Sequence, residues 1–132
     1  MVSVLLAVRH HSLRAALLEH LRANTFACEE AASAEDLWAR LRRQENEILV
    51  LDLCLPQHTK LQTVRTIQGR YPNLPILVVS FAIDIPTRLW QDAGASGFVA
   101  KASLSTELIE AVKVISEGGK YFSSEGPAGT IR

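Results

Sequence analysis

The sequence carries no excess charge of either sign. Fourteen lysine and arginine residues balance fourteen aspartate and glutamate residues in a chain of 132 residues, so the formal net charge is zero. A basic surface that neutralises phosphate groups is the usual electrostatic mark of a partner such as DNA or an anionic membrane. We therefore expect no membrane contact, and we expect DNA binding only through a domain that is not in this chain.

Cysteine and long apolar runs are also scarce. The two cysteines, Cys28 and Cys54, have neither the spacing of a metal site nor that of a disulfide framework, so we expect two small buried or half-buried side chains in a reducing compartment. No apolar run approaches the roughly 20 residues of a membrane span, and no charged signal-peptide segment precedes the first apolar run. These absences predict a cytoplasmic protein.

Short apolar runs are present, and segments of helical periodicity separate them. Because each apolar run is too short for a helix, we predict a buried first strand at residues 2–8, strands buried on both faces of a parallel sheet at 48–51 and 76–79, and a short strand at 97–100. Residues 26–30 form a further plausible short strand. The intervening segments begin and end with typical helix signals, namely Ser12, Ser33, Pro86 and Ser103 or Ser105 at the starts, and Gly69, Gly94 and residues 118–119 at the ends. This alternation predicts one α/β domain with a doubly wound parallel sheet and five helices.

Four strand ends carry side chains that can form a site. The first strand ends at Val8 and Arg9, the third at Asp52, the fourth at Ser80 and the fifth at Lys101. Because the carboxyl ends of parallel strands meet at one edge of the sheet, we expect a carboxylate, a hydroxyl and an ammonium to converge there. Each residue alone is compatible with a structural role, such as a loop cap or a solvated lysine. Their joint placement favours a functional site.

Three motifs at these strand ends resemble the receiver domains of bacterial response regulators. They are LDLCLP around Asp52, VVS ending at Ser80, and GASGFVAKA at residues 94–102. The resemblance covers residues 2–122, and the closing AVKVISEGGKYFS is similar to the NarL/FixJ (LuxR-type) group of transcription regulators. It implies a flavodoxin-like (CheY-like) fold with a five-stranded sheet in the order 2-1-3-4-5.

The resemblance also implies roles for four residues of this site. Asp52 takes the phosphoacceptor position, Ser80 and Phe98 take the positions of the switch hydroxyl and the switch aromatic, and Lys101 takes the position that contacts the phosphoryl group. In the group that the sequence resembles, a linker and a helix-turn-helix DNA-binding domain follow the receiver. We therefore expect a receiver domain at residues 1–122, a linker at 123–132, and a DNA-binding domain after them in the full-length protein.

The sequence departs from this family after the first strand. Receivers carry an acidic pair there that holds Mg²⁺, and aligning LLAVRHHSLR on that motif puts Val8 and Arg9 in the two places. Because Mg²⁺ binding by protein usually relies on carboxylates, we expect weak Mg²⁺ binding or none, and no other cofactor. A second departure is QHTK at residues 57–60 in place of a glycine-containing turn. The adjacent His10 and His11 point in different directions, so we expect no metal site from histidines either.

Our first functional hypothesis is an atypical (pseudo-)receiver of a two-component response regulator. It would regulate transcription through protein association and homodimerisation, without normal Mg²⁺-dependent phosphorylation of Asp52, and its partners would include a sensor histidine kinase or another regulatory protein. The alternative is a working phosphoreceiver, phosphorylated at Asp52 by a histidine kinase, with Arg9 in place of the metal. A flavodoxin-like ligand-binding module or enzyme is disfavoured, because we find no glycine-rich phosphate loop and no nucleophile beside a base.

Two side chains lead to more specific expectations. A cation at the end of the first strand needs a partner if it is buried, so we predict an ion pair between Arg9 and Asp52. Trp90 lies on the predicted fourth helix, where burial in the core is the default and exposure at a partner interface is the alternative.

Overall fold

The computed structural model describes residues 1–52, 57–80 and 85–123, in which strands and helices alternate along the chain. The strands are β1 Ser3–Ala7, β2 Ala27–Ala31, β3 Ile48–Asp52, β4 Ile76–Ser80, β5 Gly97–Ala100 and β6 Tyr121–Phe122. The helices are α1 His11–Ala23, α2 Ala34–Arg43, α3 Gln57–Arg70, α4 Thr87–Ala93 and α5 Leu104–Ser116, and a short 3-10 turn, Lys101–Ser103, precedes α5.

All neighbouring strands of the sheet run parallel, in the order β2-β1-β3-β4-β5-β6. The predicted doubly wound α/β fold and the order of its first five strands are confirmed. The sixth strand was not predicted; it pairs with β5 in the register Gly97 to Tyr121 and Phe98 to Phe122. A Cβ atom at Gly97 would collide with the backbone oxygen of Tyr121, so the glycine leaves room for β6 to pair closely.

Two apolar layers cover the two faces of the sheet. One layer packs α2, α3 and α4 against alternate strand residues such as Leu49 and Leu51. The other packs α1 and α5 against the intervening residues, such as Ile48 and Val50. Every residue of β3 and β4 is buried, which explains why their sequences are apolar runs without alternation.

The helix ends agree only in part with the predicted signals. The Ser33 hydroxyl accepts a hydrogen bond of 3.1 Å from the backbone N–H of Asp36 and caps α2, as predicted. Gly94 ends α4 with a φ of +106°, a conformation that glycine adopts without strain. However, α1 begins before Ser12, with His10 at its N-cap, and α3 continues through Gly69 to Arg70. An interior glycine weakens a helix without ending it when the flanking side chains are packed.

Trp90 is fully buried on α4, with 0% of its surface exposed. Its ring stacks on that of Phe98, with the centroids 5.9 Å apart and the planes 13° apart. Burial in the core is therefore confirmed, and the alternative of an exposed aromatic at a partner surface was wrong. In α4, Trp90 and Ala93 are buried and pack in the apolar layer on this face of the sheet, with Leu89 partly buried beside them.

The described residues bear on the predictions about the cysteines and about membrane spans. Cys28 is half-buried on β2 and is not in a disulfide, whereas Cys54 lies outside the described residues. Burial raises the pKa of the Cys28 thiol to about 11. Among the helices of the described residues, none has both the length and the apolar character that crossing a bilayer would require.

Candidate functional site at the carboxyl edge of the sheet

A buried ion pair lies at the carboxyl edge, where Asp52 ends β3 and Lys101 follows β5. Lys101 Nζ lies 2.9 Å from Asp52 Oδ2, and only 8% and 1% of the two side chains are exposed. The strands β3 and β5 lie on either side of β4, so Asp52 and Lys101 reach each other across the end of β4. The sequence-based expectation that a carboxylate and an ammonium converge at this edge agrees with this geometry.

The carboxylate of Asp52 has acceptor capacity left over. The approach of Lys101 satisfies the distance of an ion pair but not the angles of a hydrogen bond, so within the described ranges neither oxygen of Asp52 accepts a well-formed hydrogen bond. Lys101 stabilises the charge of Oδ2 by proximity. Oδ1 remains a buried acceptor, and such an acceptor is normally paired with a donor.

A second ammonium reaches the same edge from α3. Lys60 Nζ donates a hydrogen bond of 3.2 Å to Ser80 Oγ, and Ser80 at the end of β4 is 1% exposed. The segment 57–60, which was expected to be a loop, forms the first turn of α3, and this places Lys60 above the end of β4. The sequence indicated an additional cation near the site, but the helical start of α3 determines that the switch-position hydroxyl is its partner.

The end of β1 differs from the prediction. Val8 is 1% exposed, but Arg9 lies on the surface, and among the ion pairs of the described residues it has none with Asp52. The predicted Arg9–Asp52 ion pair is therefore wrong. Arg14 fixes the turn instead, because its guanidinium donates to the carbonyl oxygens of Val8 at 2.9 Å and Arg9 at 3.3 Å and pairs with Glu30 at 3.0 Å. Sequence analysis missed this role of Arg14.

The side chains after β1 bear on whether this edge could hold a metal ion. The two positions after β1 offer an apolar side chain and an exposed cation, and no group of three potential ligands from His, Cys, Asp or Glu occurs within residues 1–52, 57–80 and 85–123. His10 and His11 are both exposed, and the side chain of His58 lies outside the described part of the structure. Two ammonium groups around Asp52 and Ser80 also oppose the entry of a divalent cation.

Phe98 lies one strand away from this cluster, on β5. It is 5% exposed and stacked on Trp90, and its backbone oxygen accepts a hydrogen bond of 2.7 Å from the N–H of Ser123. The position that the resemblance assigns to the switch aromatic therefore contacts both α4 and the segment after β6.

The fold and the site define the class of protein. A parallel sheet whose first five strands have the order 2-1-3-4-5, with Asp52, Ser80 and Lys101 at its carboxyl edge, is the arrangement of CheY-like receivers. The family described as Response regulator receiver domain matches residues 4–113, most of the chain. This chain belongs to the response regulator receiver domain family.

Curated relatives and a solved structure agree with this assignment. The Transcriptional activator protein ExaE of Pseudomonas putida is 30% identical over 123 residues, which are 91% of this chain and 58% of that protein. The DNA-binding transcriptional activator DevR/DosR of Mycobacterium tuberculosis is 30% identical over 131 residues, 97% of this chain and 60% of that protein. A LuxR family DNA-binding response regulator from Silicibacter pomeroyi superposes with a TM-score of 0.78 at 25% identity, covering 92% of this chain and 96% of the other. This chain thus spans less than two thirds of these two curated relatives.

Proposed function

We propose that this receiver domain is atypical and regulates transcription without normal Mg²⁺-dependent phosphorylation of Asp52. One observation carries the proposal. At the two positions where receivers hold the metal with an acidic pair, this chain has a buried valine, Val8, and an exposed arginine, Arg9. Without these carboxylates, the site lacks the charge that would hold Mg²⁺ against a phosphoryl group.

The remaining charges support the same proposal. Among the described residues, the cluster holds one carboxylate, Asp52, and two ammonium groups, Lys101 beside Asp52 and Lys60 beside Ser80, so its formal charge is +1, the sum of −1 and +2. In a metal-dependent receiver, the acidic pair and the phosphoacceptor give this edge a negative charge that attracts a divalent cation. Here the polar side chains are already bonded to lysines, and we propose that sequence rather than phosphorylation sets the conformation of this edge.

The output of such a domain would be protein association. Relatives such as ExaE and DevR/DosR are transcriptional activators by name, and this chain covers only part of each. We propose that the chain is the non-enzymatic regulatory domain of a cytoplasmic transcription regulator of the NarL/FixJ group. Residues 123–132 would link it to a helix-turn-helix domain, and its partners would be a second copy of itself and a sensor histidine kinase or another regulatory protein.

Phosphorylation by acetyl phosphate in millimolar Mg²⁺, followed by intact-protein mass spectrometry, tests the loss of metal-dependent chemistry. We expect no phosphoryl adduct on the wild-type chain. The double substitution Val8→Asp with Arg9→Asp restores the acidic pair, and we expect an adduct that EDTA prevents and that Asp52→Asn abolishes. An adduct on the wild-type chain that depends on Mg²⁺ and on Asp52 would contradict the proposal.

A second candidate function is that of a working phosphoreceiver that uses lysines in place of metal. The observation in its favour is the position of Lys101, 2.9 Å from Asp52, with Lys60 bound to the neighbouring Ser80. Two ammonium groups can neutralise charge on phosphoryl oxygens. The same mass measurement distinguishes this function, which predicts a wild-type adduct that forms in EDTA and disappears in Asp52→Asn and in Lys101→Met.

Self-association is the part of the proposal that the isolated chain can test directly. A two-fold symmetric dimer is the commonest assembly of soluble proteins, and the faces we propose are α4, β5 and α5, or α1 with α5. Sedimentation velocity over a range of micromolar concentrations should show a monomer that converts to a dimer. A purely monomeric chain at high micromolar concentration would reject homodimerisation of this domain alone.

A further inference from the structure

A cavity of about 610 Å³ opens beside Asp52 at the carboxyl edge of the sheet. It lies between the ends of β1 and β3 and the helices α2 and α3, which contribute its lining. Small-molecule sites in proteins have volumes of roughly 300–1,000 Å³, so a cavity of this size can enclose a compact organic molecule.

The walls of the cavity are mainly apolar. The apolar lining is formed by Val8, Leu37, Trp38 and Leu51, together with several alanines such as Ala7. Polar side chains complete the lining: Asp52, the exposed Arg9, Ser33 and Gln62, and Thr63 and Thr66 of α3. Val8 is important for this character, because a carboxylate at the same position would make the inner wall acidic and would attract water and cations. With valine in place of an acidic residue, the inner wall is apolar at this position, and an apolar surface favours an apolar ligand.

The carboxylate of Asp52 in this cavity has an oxygen atom that lacks a hydrogen-bond donor. Asp52 lines the cavity, and its Oδ1 accepts no hydrogen bond from the residues that the structure describes. A buried acceptor without a donor costs about 1–3 kcal/mol, and a ligand that supplies an N–H or O–H removes this penalty. The charge of Asp52 is already balanced by Lys101, and Lys60 brings a second ammonium to this edge, so a cationic ligand would be repelled.

We infer that this cavity binds a neutral, largely apolar small molecule that carries one N–H or O–H donor. The donor bonds Asp52 Oδ1, and the apolar body lies against Val8, Leu51 and Trp38. Such a molecule would contact α2 and α3 together with the ends of two strands, so its binding would stabilise the arrangement of this edge of the domain. The class of ligand follows from the cavity, and it does not depend on whether Asp52 can be phosphorylated.

Fluorescence titration with N-phenyl-1-naphthylamine tests this inference, because that probe is neutral and apolar and has a single N–H. Protein is added to a fixed low concentration of probe, and we expect a saturable signal with a Kd on the order of 10–100 μM. The N-methyl analogue has the same body but no donor, and we expect it to bind about five- to tenfold more weakly. Absence of saturable binding would overturn the inference, and equal affinities of the two probes would overturn the role of Asp52.

Two pairs of variants locate the bound probe. Thr66 lines the cavity from α3, and Thr66→Trp should fill it and weaken binding at least tenfold, whereas Arg65→Trp on the exposed side of the same helix should leave Kd within about twofold. Ala34→Trp fills the cavity from the exposed start of α2 and should also weaken binding, which covers the case in which Thr66→Trp disturbs folding. Far-UV circular dichroism checks each fold.

A smaller cavity of about 190 Å³, lined by residues that include Arg40 and Tyr71, provides the competing location. Neither Thr66 nor Ala34 lines it. Binding that survives both cavity-filling variants would assign the probe to that cavity or to a nonspecific surface and would overturn the inference. The readout is probe binding alone, so this result would leave the proposal about phosphorylation unchanged.

Discussion

The carboxyl edge of the sheet has two halves, which differ in whether their charged side chains are buried or exposed. At the ends of β3, β4 and β5, polar side chains are buried and each contacts a lysine, as Asp52 contacts Lys101 and Ser80 contacts Lys60. At the end of β1, the buried position is apolar Val8 and the charge of Arg9 lies on the surface. Apolar layers cover both faces of the sheet, and a cavity of about 610 Å³ opens in one of them beside the end of β1. The chain therefore forms this fold without acidic residues after β1, whereas the β3–β5 half buries its charges in an ion pair.

The largest effect that tests this comparison should come from Lys101→Met. This change leaves the carboxylate of Asp52 buried without its cation, and breaking such a pair costs about 3–5 kcal/mol of unfolding free energy. Urea denaturation measures the loss. The double variant with Asp52→Asn removes both charges and should recover a large part of the stability. A Lys101→Met variant within about 1 kcal/mol of the wild-type chain would show that the β3–β5 half does not depend on this pair.

A smaller effect is expected for Lys60→Met, because the bond to Ser80 joins a partly exposed ammonium to a neutral hydroxyl. We expect a loss of about 1 kcal/mol in urea denaturation. Lys113→Met on the exposed surface of α5 is the matched control and should be neutral within about 0.5 kcal/mol. Equal stabilities of the two variants would show that Lys60 does not stabilise the β3–β5 half of the carboxyl edge.

Away from the carboxyl edge, Cys28 near the start of β2 should make the stability of the domain depend on alkaline pH. Burial raises the pKa of this thiol from 9.0 to about 11, so the folded state keeps a proton that the unfolded state releases. The resulting stabilisation is complete below pH 9 and is lost as the pH rises to 11. In a Cys54→Ser background, urea midpoints between pH 8 and pH 10.5 should fall more steeply with Cys28 than with Cys28→Ala. Parallel pH profiles would show that ionisation of Cys28 is not linked to folding.

The smallest effect is expected for Arg9→Met, the counterpart of Lys101→Met at the other half of the edge. Arg9 is on the surface and has no ion pair within the described ranges, so the change should alter unfolding free energy by less than about 0.5 kcal/mol. Thermal and urea denaturation side by side with Lys101→Met make the comparison direct. A loss above about 1 kcal/mol would mean that Arg9 has a partner and that the two halves are alike.

Much of the fold could be predicted because its information is local. The runs that form β3 and β4 are apolar up to their last residues, Asp52 and Ser80, and Gly94 ends α4 as expected, so both features can be recognised from neighbouring residues. Strand β6 was missed for a physical reason. It has two residues, and its extended conformation depends on backbone hydrogen bonds to β5, about twenty positions earlier in the chain. No periodicity is visible in so short a segment.

In the site, contacts that follow from strand order could be predicted, whereas contacts that depend on the turns could not. The approach of Asp52 to Lys101 follows from strand order, because parallel strands deliver their last residues to one edge. The placement of Arg9 depends on the turn after β1, whose backbone carbonyl oxygens at Val8 and Arg9 accept hydrogen bonds from Arg14 of α1. This contact with a residue five positions away is not visible in the strand pattern. The contact of Lys60 with Ser80 likewise depends on whether α3 starts at residue 57 or later.

The anchoring of β6 has a mechanical consequence for the end of the domain. Tyr121 donates from its hydroxyl to Glu107 of α5 at 2.6 Å, and Ser123 donates to the backbone of Phe98 at 2.7 Å. The exit of the chain is thereby attached to β5 on one side and to α5 on the other. A small rotation of these two elements would therefore turn the direction of the chain at residue 123 with them. Strand β6 thus couples the direction of the chain at residue 123 to the orientation of β5 and α5.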